Sequence, residues 1–293
     1  MPSPGQAPSF PSDLKITDAH IHVQPWHQML PAALAIMKGK NDWGMMERVM
    51  ADPGYLESLL DEAGLARAVL INYVAPRVMG FTWEANNWIA DYVKGREKRL
   101  IACGSIHPHH CPEPAAEVRR LKDLGIRLVK IHPPHQLVRV DDYRRGLIAQ
   151  AAIYAGCEAE GIPIMVHTGT SVFPGADSSL SDPLAVDAVA IDFPKLKIIL
   201  AHAGRPLHME QAQFLARRHP NVWFDISGIP PKALLSYLPR ILEFAPKALW
   251  GTDWPSPGVK NMGHNLNDFL HVIASESARK AILQDNARAI WPE

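Results

Sequence analysis

The sequence predicts an α/β fold, a (β/α)8 TIM barrel formed by a single domain with a long insertion after strand one. The chain has 293 residues, and an eight-fold barrel typically needs about 250. Eight short apolar runs alternate with helical segments, a pattern typical of parallel strands that are covered by helices. No G-x-G-x-x-G fingerprint follows the first strand, which counts against an open dinucleotide-binding sheet.

The elements follow from hydrophobic periodicity and from local stop signals. Val118, Leu121 and Leu124 share one helical stripe, and Gly161 ends the helix before strand five. The predicted strands are 16–23, 66–74, 100–106, 126–131, 163–167, 196–202, 222–226 and 248–252. The predicted helices are 53–63, 82–94, 113–124, 142–160, 182–192, 207–218 and 231–244, and two closing helices begin near Asn267 and Ser277.

The catalytic domain is predicted to span residues 14–293, after a Pro- and Ser-rich tail, residues 1–13, that we expect to be disordered. The insertion, residues 24–63, is rich in Trp and Met. Loops after barrel strands usually build the substrate side. The insertion is therefore either a lid over an aromatic or apolar substrate or a packing flap. Trp291, near the end of the chain, is expected to pack beneath the barrel.

Composition limits the expected partners and compartment. Lys plus Arg and Asp plus Glu both number 30, so no basic surplus is available for nucleic acid. Cys103, Cys111 and Cys157 form no C-x-x-C pair, and we interpret them as free thiols of a reducing compartment. The amino terminus lacks the pattern of a signal peptide, and no apolar run approaches the roughly 20 residues of a membrane span. We therefore expect a cytoplasmic protein without a membrane partner.

Candidate catalytic residues lie at the carboxyl ends of the strands, where barrel enzymes place their chemistry. His20 and His22 lie two residues apart on strand one and therefore share a face. Strands five, six and eight end in His167, His202 and Asp253. Each signal is weak alone, because a histidine after a strand is more often a core or loop residue and an aspartate is often a turn former. Their common position at one rim indicates a functional site.

These segments resemble the amidohydrolase superfamily, specifically its amidohydrolase-related branch of metal-dependent hydrolases and decarboxylases. The matching segments are Asp-Ala-His-Ile-His at 18–22, Val-Lys-Ile-His-Pro at 129–133, Val-His-Thr-Gly at 166–169, Leu-Ala-His-Ala-Gly at 200–204 and Gly-Thr-Asp-Trp-Pro at 251–255. The resemblance implies that His20, His22, His167 and Asp253 bind a divalent metal. Three imidazoles and a carboxylate suit Zn²⁺ best, with Mn²⁺, Co²⁺ or Fe²⁺ as alternatives.

Two further strand-end residues have alternative roles by this resemblance. His202 either ligates a second metal or acts as a general acid and base, and we favour the second role, with Asp253 as a proton shuttle. In binuclear members of the superfamily, the strand-four lysine that corresponds to Lys130 is carboxylated and bridges two metals. Beside a single metal, its ammonium would instead bind a substrate carboxylate or an oxyanion. We favour one ion over two.

Other residues are candidates for the substrate pocket. His132 shares a face with Lys130, Arg205 follows strand six and would hold an anionic group, and Trp254 would form a wall. The plain alternatives are a loop histidine and a solvated arginine. Asp225, near the end of strand seven, is a candidate to orient a ligand histidine. The loop histidines 107, 109 and 110 lack the spacing of a metal site.

The residues and the resemblance together predict a metal-dependent hydrolase of a small carboxylate-bearing ester, lactone or amide that uses metal-activated water. The alternative is a metal-dependent decarboxylase (a carboxy-lyase) of an aromatic or dienoic acid, and the Val-Lys-Ile-His-Pro segment favours the hydrolase. Zero net charge disfavours a nuclease, and the complete ligand set disfavours a metal-free binding protein. We expect a small-molecule substrate. A homo-oligomer is compatible with the resemblance, although no stretch identifies an interface.

Overall fold

The computed structural model describes residues 14–256, 259 and 261–293, so the tail predicted to be disordered, residues 1–13, lies outside the described residues. Eight parallel strands are hydrogen-bonded in sequential order from β1 to β8. The strands are β1 (Thr17–His22), β2 (Arg67–Ile71), β3 (Leu100–Gly104), β4 (Leu128–Ile131), β5 (Ile164–His167), β6 (Ile198–Ala201), β7 (Val222–Asp225) and β8 (Ala248–Leu249).

The first strand closes the barrel against the segment that follows β8. Ala19 N donates to Trp250 O at 2.9 Å, and Asp253 N donates to His20 O at 2.8 Å. The predicted (β/α)8 TIM barrel is therefore confirmed. The helices are α1 (Pro31–Lys40), α2 (Trp43–Ala51), α3 (Pro53–Glu62), α4 (Glu84–Val93), α5 (Pro114–Asp123), α6 (Pro133–Gln136), α7 (Ile148–Glu160), α8 (Val186–Asp192), α9 (Met209–Arg218), α10 (Leu234–Tyr237), α11 (Met262–Val272), α12 (Glu276–Lys280) and α13 (Asn286–Ile290).

The insertion after β1 folds into a 3₁₀ turn, Trp26–Gln28, and the helices α1, α2 and α3. Asp42 and Asp52 cap α2 and α3, because their side chains accept hydrogen bonds from the first-turn amides. Trp26 is fully buried, and its ring centroid lies 6.5 Å from that of Trp43. The tryptophans of the insertion thus pack inside the insertion itself.

Two predicted helices are broken in the structure. The segment predicted as helix 142–160 begins with a separate 3₁₀ turn, because Gly146 adopts a left-handed φ of +105° before α7 starts. The segment predicted as helix 231–244 forms a 3₁₀ turn, the short α10 and a second 3₁₀ stretch. Pro239 follows α10, and a proline lacks the amide hydrogen and clashes with the preceding turn.

The end of the chain also differs from the prediction. Strand β8 has only two residues, and the residues that follow it, up to Trp254, lie along β1 through single hydrogen bonds and one isolated parallel bridge. The closing helices begin at Met262 and Glu276. Asn261 caps the first of them, since its side chain accepts a hydrogen bond from His264 N. Between Lys280 and Asn286 the helix widens into a π-helical turn.

The core fills the barrel interior and the layer between strands and helices. Trp291 is buried, and its Nε1 donates to Arg127 O just before β4, so it packs under the barrel as predicted. The three cysteines are free, also as predicted. In the part of the chain that the structure describes, no helix is both long and apolar enough to cross a membrane.

Candidate metal centre

Three side chains at the carboxyl ends of the strands bring donor atoms together. Among the described residues, the donors of His20, His202 and Asp253 lie within 4.8 Å of one another, and this is the one group of three or more such side chains that could hold a metal ion. His20 Nε2 lies 3.5 Å from Asp253 Oδ1, and His22 Nε2 lies 3.2 Å from the same oxygen. The pair of histidines on β1 therefore faces one carboxylate, as their alternation predicts.

The hydrogen bonding around this group fits a cation. His20 Nε2 and His167 Nε2 are buried nitrogens without a hydrogen-bond partner within the described residues. Buried polar atoms are nearly always hydrogen-bonded, and a neutral imidazole offers one lone pair for a metal or a donor. The unpartnered nitrogens beside a buried carboxylate are thus suited to bind a divalent metal.

His202 is the third member of the donor group. This position is compatible with both predicted roles, a ligand of a metal or an acid and base beside it, and the choice between them stays a prediction. His202 Nε2 lies 3.2 Å from His167 Nδ1. His22 Nε2 lies 3.2 Å from Asp253 Oδ1, so His22 and His167 each adjoin one member of the group. Their role as ligands stays a prediction.

Burial sets the charge state of these side chains. Burial, with Lys130 nearby, lowers the pKa of His20 to about 3, and burial also lowers the pKa of His202. Both imidazoles are therefore neutral near pH 7, the form that binds metals. Burial alone would raise the pKa of Asp253, but His202 and His22 hold it below its usual range, so the carboxylate is ionised.

Asp225 at the end of β7 holds two of the histidines. Its Oδ2 is 2.9 Å from His20 Nδ1, which is the contact with a ligand histidine that the sequence suggested. Its Oδ1 accepts hydrogen bonds from His202 N at 3.0 Å and from the amide and hydroxyl of Ser227. Ser227 Oγ in turn lies 2.9 Å from His202 Nδ1. Asp225 and Ser227 thereby fix the orientation of His20 and His202.

Asp18, which sequence reasoning left without a role, ties β1 to the segment after β8. Its carboxylate accepts hydrogen bonds from His20 N, Thr252 N and Thr252 Oγ1 at 3.0, 3.0 and 2.7 Å. Burial raises the pKa of Asp18 to about 7. This buried bridge holds the strand that bears the histidine pair next to the turn that bears Asp253.

Two residues of the centre have left-handed backbones. His202 has a φ of +66° and Asp253 a φ of +65°. A residue with a Cβ pays about 1–3 kcal/mol for such a conformation, which persists only where the surroundings enforce it. His202 directly follows β6, and Asp253 lies four residues after the end of β8, so both side chains lie at the rim. Such outliers gather at functional sites.

Lys130 is fully buried on β4, and its Nζ has no hydrogen-bond partner within the described residues. Burial lowers the pKa of its ammonium to about 8, although Asp225 and Cys103 oppose the change. Lys130 does not line the cavity at the rim. Whether Lys130 contacts a substrate carboxylate or, when carboxylated, a second metal therefore stays a prediction.

A cavity of about 350 Å³ opens above the centre. His132 lines it as predicted and stacks between His135 and His167, with ring centroids 3.7 and 4.0 Å away. Arg205 also lines it, as predicted, and so do His22, His167, His202 and Asp253. Met29 and Met37 of the insertion form part of its wall, so the insertion contacts the substrate side of the barrel.

Trp254 does not line this cavity, contrary to the prediction. It is buried and lines a separate cavity with Met45 and Met262. Asp253 and Trp254 are consecutive residues on the segment that runs parallel to β1, and their side chains line different cavities. Among the described residues, the group that could hold a metal ion does not include His107, His109 or His110.

Sequence reasoning missed three residues of the cavity. His135 Nδ1 lies 3.1 Å from Tyr73 Oη, and His135 Nε2 lies 2.7 Å from Ser171 Oγ. Burial lowers the pKa of His135 to about 3, so it is a neutral member of this network. Tyr73 lies just beyond β2, and the polar tip of a tyrosine at a strand end was the signal available in the sequence. His135 lies in the one-turn helix α6 and Ser171 in a loop, and neither segment is long enough for periodicity to identify them.

Comparison with known proteins agrees with this geometry. A family model described as amidohydrolase matches residues 17–292. A 2-pyrone-4,6-dicarboxylate hydrolase of Comamonas testosteroni is 32% identical over 143 residues, covering 36% of this chain and 47% of that protein. The match thus spans about half the length of that curated relative.

Solved structures share the fold. An uncharacterised TIM-barrel protein from Bordetella bronchiseptica superposes with a TM-score of 0.71 at 23% identity, covering 94% of this chain and 98% of that one. A 5-carboxyvanillate decarboxylase from Novosphingobium aromaticivorans, solved with manganese and 4-hydroxy-3-methoxy-5-nitrobenzoic acid, superposes with a TM-score of 0.66 at 16% identity, covering 96% of both chains. At these identities the likeness concerns the barrel alone.

Proposed function

Because the chain belongs to the amidohydrolase family of metal-dependent enzymes, we propose that it is a hydrolase of a small carboxylate-bearing ester, lactone or amide. The observation on which the proposal rests is the donor group of His20, His202 and Asp253 below a cavity that Arg205 lines. The activity for which the Comamonas relative is named supports this class, since a pyrone dicarboxylate is a lactone that bears carboxylates.

We propose His20, His22, His167 and Asp253 as the ligands of one divalent ion, with Lys130 required only for a second. Imidazole and carboxylate donors suit Zn²⁺, and Mn²⁺, Co²⁺ or Fe²⁺ accept the same set. When bound, such an ion polarises a substrate carbonyl and lowers the pKa of a water molecule.

The side chains supply proton transfer and orientation. Asp253 is ionised and can accept a proton from the attacking water. His202 Nδ1 donates to the backbone oxygen of Ser227 at 3.1 Å, so Nε2 of the neutral imidazole carries the lone pair. His202 can therefore take up that proton at Nε2 and pass it to the leaving oxygen or nitrogen. The Nε of Arg205 is buried without a hydrogen-bond partner within the described residues. A substrate carboxylate would supply that partner through a charge-assisted hydrogen bond.

Substitution of two histidines tests these roles separately. His22→Ala should lose both bound metal and turnover. His202→Asn should keep the metal and lose turnover by roughly 10²- to 10⁴-fold, the usual contribution of a general acid or base. Metal content is measured by elemental analysis of the purified protein. An unchanged metal content in His22→Ala would contradict its assignment as a ligand, and loss of a metal equivalent from His202→Asn would make His202 a ligand.

The second candidate is a metal-dependent decarboxylase. The wall of Met29, Met37, Tyr73 and Phe173 favours a flat unsaturated acid, a shape that also suits decarboxylation. A panel of lactones and aromatic carboxylic acids, tested with the zinc- and manganese-loaded protein, separates the two. Ring opening without CO₂ release supports the hydrolase, and CO₂ release without hydrolysis would replace it with a carboxy-lyase.

We propose that the partner of this chain is a small molecule and not nucleic acid or a membrane. Equal numbers of acidic and basic residues support this view. A cytoplasmic location stays a prediction that rests on the free cysteines, and a homo-oligomer stays a prediction that size-exclusion chromatography with light scattering would test.

A further inference from the structure

A second cavity, of about 440 Å³, lies beside the end of β3. Val74, Ser105 and Ile106 form part of its wall, and Trp83 and Cys111 also line it. No residue that we place in metal binding or proton transfer lines it. Its volume lies in the range of pockets that bind small molecules.

The walls of this cavity offer mainly apolar surface and no unpaired charge among the described residues. Asn86 uses both halves of its amide on the backbone of Ser105, at 2.8 and 2.9 Å. Both carboxylate oxygens of Glu117 accept hydrogen bonds from Arg120 at 2.7 Å. Burial lowers the pKa of His107 to about 4, so this imidazole is neutral near pH 7. A charged ligand would therefore lose its hydration without compensation.

Trp83 supplies the feature that indicates which neutral molecules fit. Trp83 is 59% exposed, more than any other tryptophan or phenylalanine among the exposed large apolar residues that the structure describes. An indole at the edge of an apolar cavity offers a flat face on which another ring can stack. We propose that this cavity binds a small uncharged aromatic molecule against Trp83, and that the bound molecule alters turnover at the metal centre through Gln136.

Hydrogen bonds connect the two cavities. Gln136 Nε2 donates to Val74 O at 3.1 Å and to Ile106 O at 3.3 Å, both in the wall of the second cavity. Gln136 Oε1 accepts a hydrogen bond from His132 N at 2.9 Å, and His132 stacks on His167. A ligand that displaces the wall therefore displaces the imidazole stack. The effect on turnover rests on the proposed function, whereas the binding itself does not.

Indole is the probe for the binding test, with calorimetry and saturation-transfer NMR on the full chain. Trp83→Ala removes the stacking face, and Cys111→Trp fills the cavity. Cys111→Ser is the matched control, because it keeps the size of the side chain. We expect indole to bind the wild type and Cys111→Ser equally, and to bind Trp83→Ala and Cys111→Trp about tenfold more weakly or not at all. Benzoate, which Arg205 would attract to the metal-centre cavity, should not compete.

Each other result overturns the proposal. Equal indole affinity in Trp83→Ala and Cys111→Trp would place the probe elsewhere. Competition by benzoate, or weakened binding in His202→Asn, would place indole in the metal-centre cavity. A dimer of the wild type that Trp83→Ala dissociates would assign the cavity to a second copy of the chain. Indole binding that leaves kcat/KM of the active enzyme unchanged would refute the coupling through Gln136. If no substrate is hydrolysed, the proposed function fails while the calorimetry still decides the binding.

Discussion

Gly228 follows β7 with a φ of +67° and lies against three side chains of the proposed site. A Cβ added there would be 3.1 Å from Asp253 Oδ2, 3.4 Å from Arg205 Nη2 and 3.4 Å from His202 Nδ1. Contacts of this length are tighter than ordinary van der Waals packing, so the neighbours must move by a few tenths of an ångström. Gly228→Ala therefore perturbs the site without removing any functional group.

Gly228→Ala combines the cost of a left-handed backbone with the displacement of neighbouring side chains, and a control variant at Gly161 separates these two effects. Gly161 has nearly the same φ, +68°, but a Cβ there would meet nothing within 4 Å. Gly161→Ala thus reports the backbone cost alone, about 1–2 kcal/mol of unfolding free energy. Gly228→Ala pays that cost and also displaces Asp253, His202 or Arg205. Since a misplacement of about 1 Å can cost roughly 100-fold in rate, a shift of a few tenths should cost about tenfold in kcat/KM.

The assay compares both variants with the wild type. Urea unfolding should show a similar loss of stability in each, whereas kcat/KM on the best substrate of the lactone panel should fall in Gly228→Ala only. Chelator competition gives a second measure, because displacement of Asp253 should also weaken metal binding. A Gly228→Ala enzyme as active as Gly161→Ala would show that the contacts around Gly228 do not position the site, and the reasoning would be wrong.

Three further predictions follow from buried groups. Asp225→Asn should weaken metal binding about 10- to 100-fold, as loss of an orienting carboxylate usually does. The control variant is Asp187→Asn, because that carboxylate is paired with His219 away from the site, and it should leave metal affinity unchanged. Equal metal affinity in the two variants would contradict the role of Asp225. The wild type should bind one divalent ion, and Lys130→Met should also bind one. This variant should be no less stable than the wild type, because the buried Nζ of Lys130 has no partner within the described residues. Two ions per chain with a carboxylated Lys130 would refute this prediction. Burial lowers the pKa of His107 from 6.5 to about 4. Between pH 6.5 and 4 the unfolded chain therefore binds a proton at His107 that the folded chain does not bind. The free energy of unfolding should thus fall as pH drops from 6.5 towards 4. His107→Asn should reduce that pH dependence of the urea midpoint, in contrast to His271→Asn at an exposed position, and equal slopes in both would show that His107 does not contribute.

The barrel and the rim residues were predictable because both depend on local rules. Continuous apolar runs identify parallel strands, and a residue that follows such a run lies at the rim whatever the rest of the fold does. His20, His202 and Asp253 could therefore be placed from the sequence. Pro239 also predicts a break, since proline ends helices, whereas the apolar residues of 231–244 predict one continuous helix.

The remaining errors arise where the backbone leaves regular geometry. Trp254 was placed at the cavity by its adjacency to Asp253, yet these two consecutive side chains line different cavities. The burial of Lys130 was also not predictable, because the depth of a side chain inside the barrel depends on strand tilt and stagger, which sequence alone does not give. Tyr73 and His135 meet only because the segment after β2 and the short helix α6 after β4 converge.

The left-handed backbones at His202 and Asp253 determine how mutational scans of this enzyme are to be interpreted. Asparagine tolerates this conformation better than most residues with a Cβ, whereas alanine does not share its local hydrogen bonding. An alanine scan at these two positions would therefore combine the loss of a side chain with relaxation of the main chain, and would exaggerate the apparent chemical role of both residues. Asparagine at either position keeps the turn and isolates the chemistry, so asparagine variants are the appropriate reference set for design at this rim.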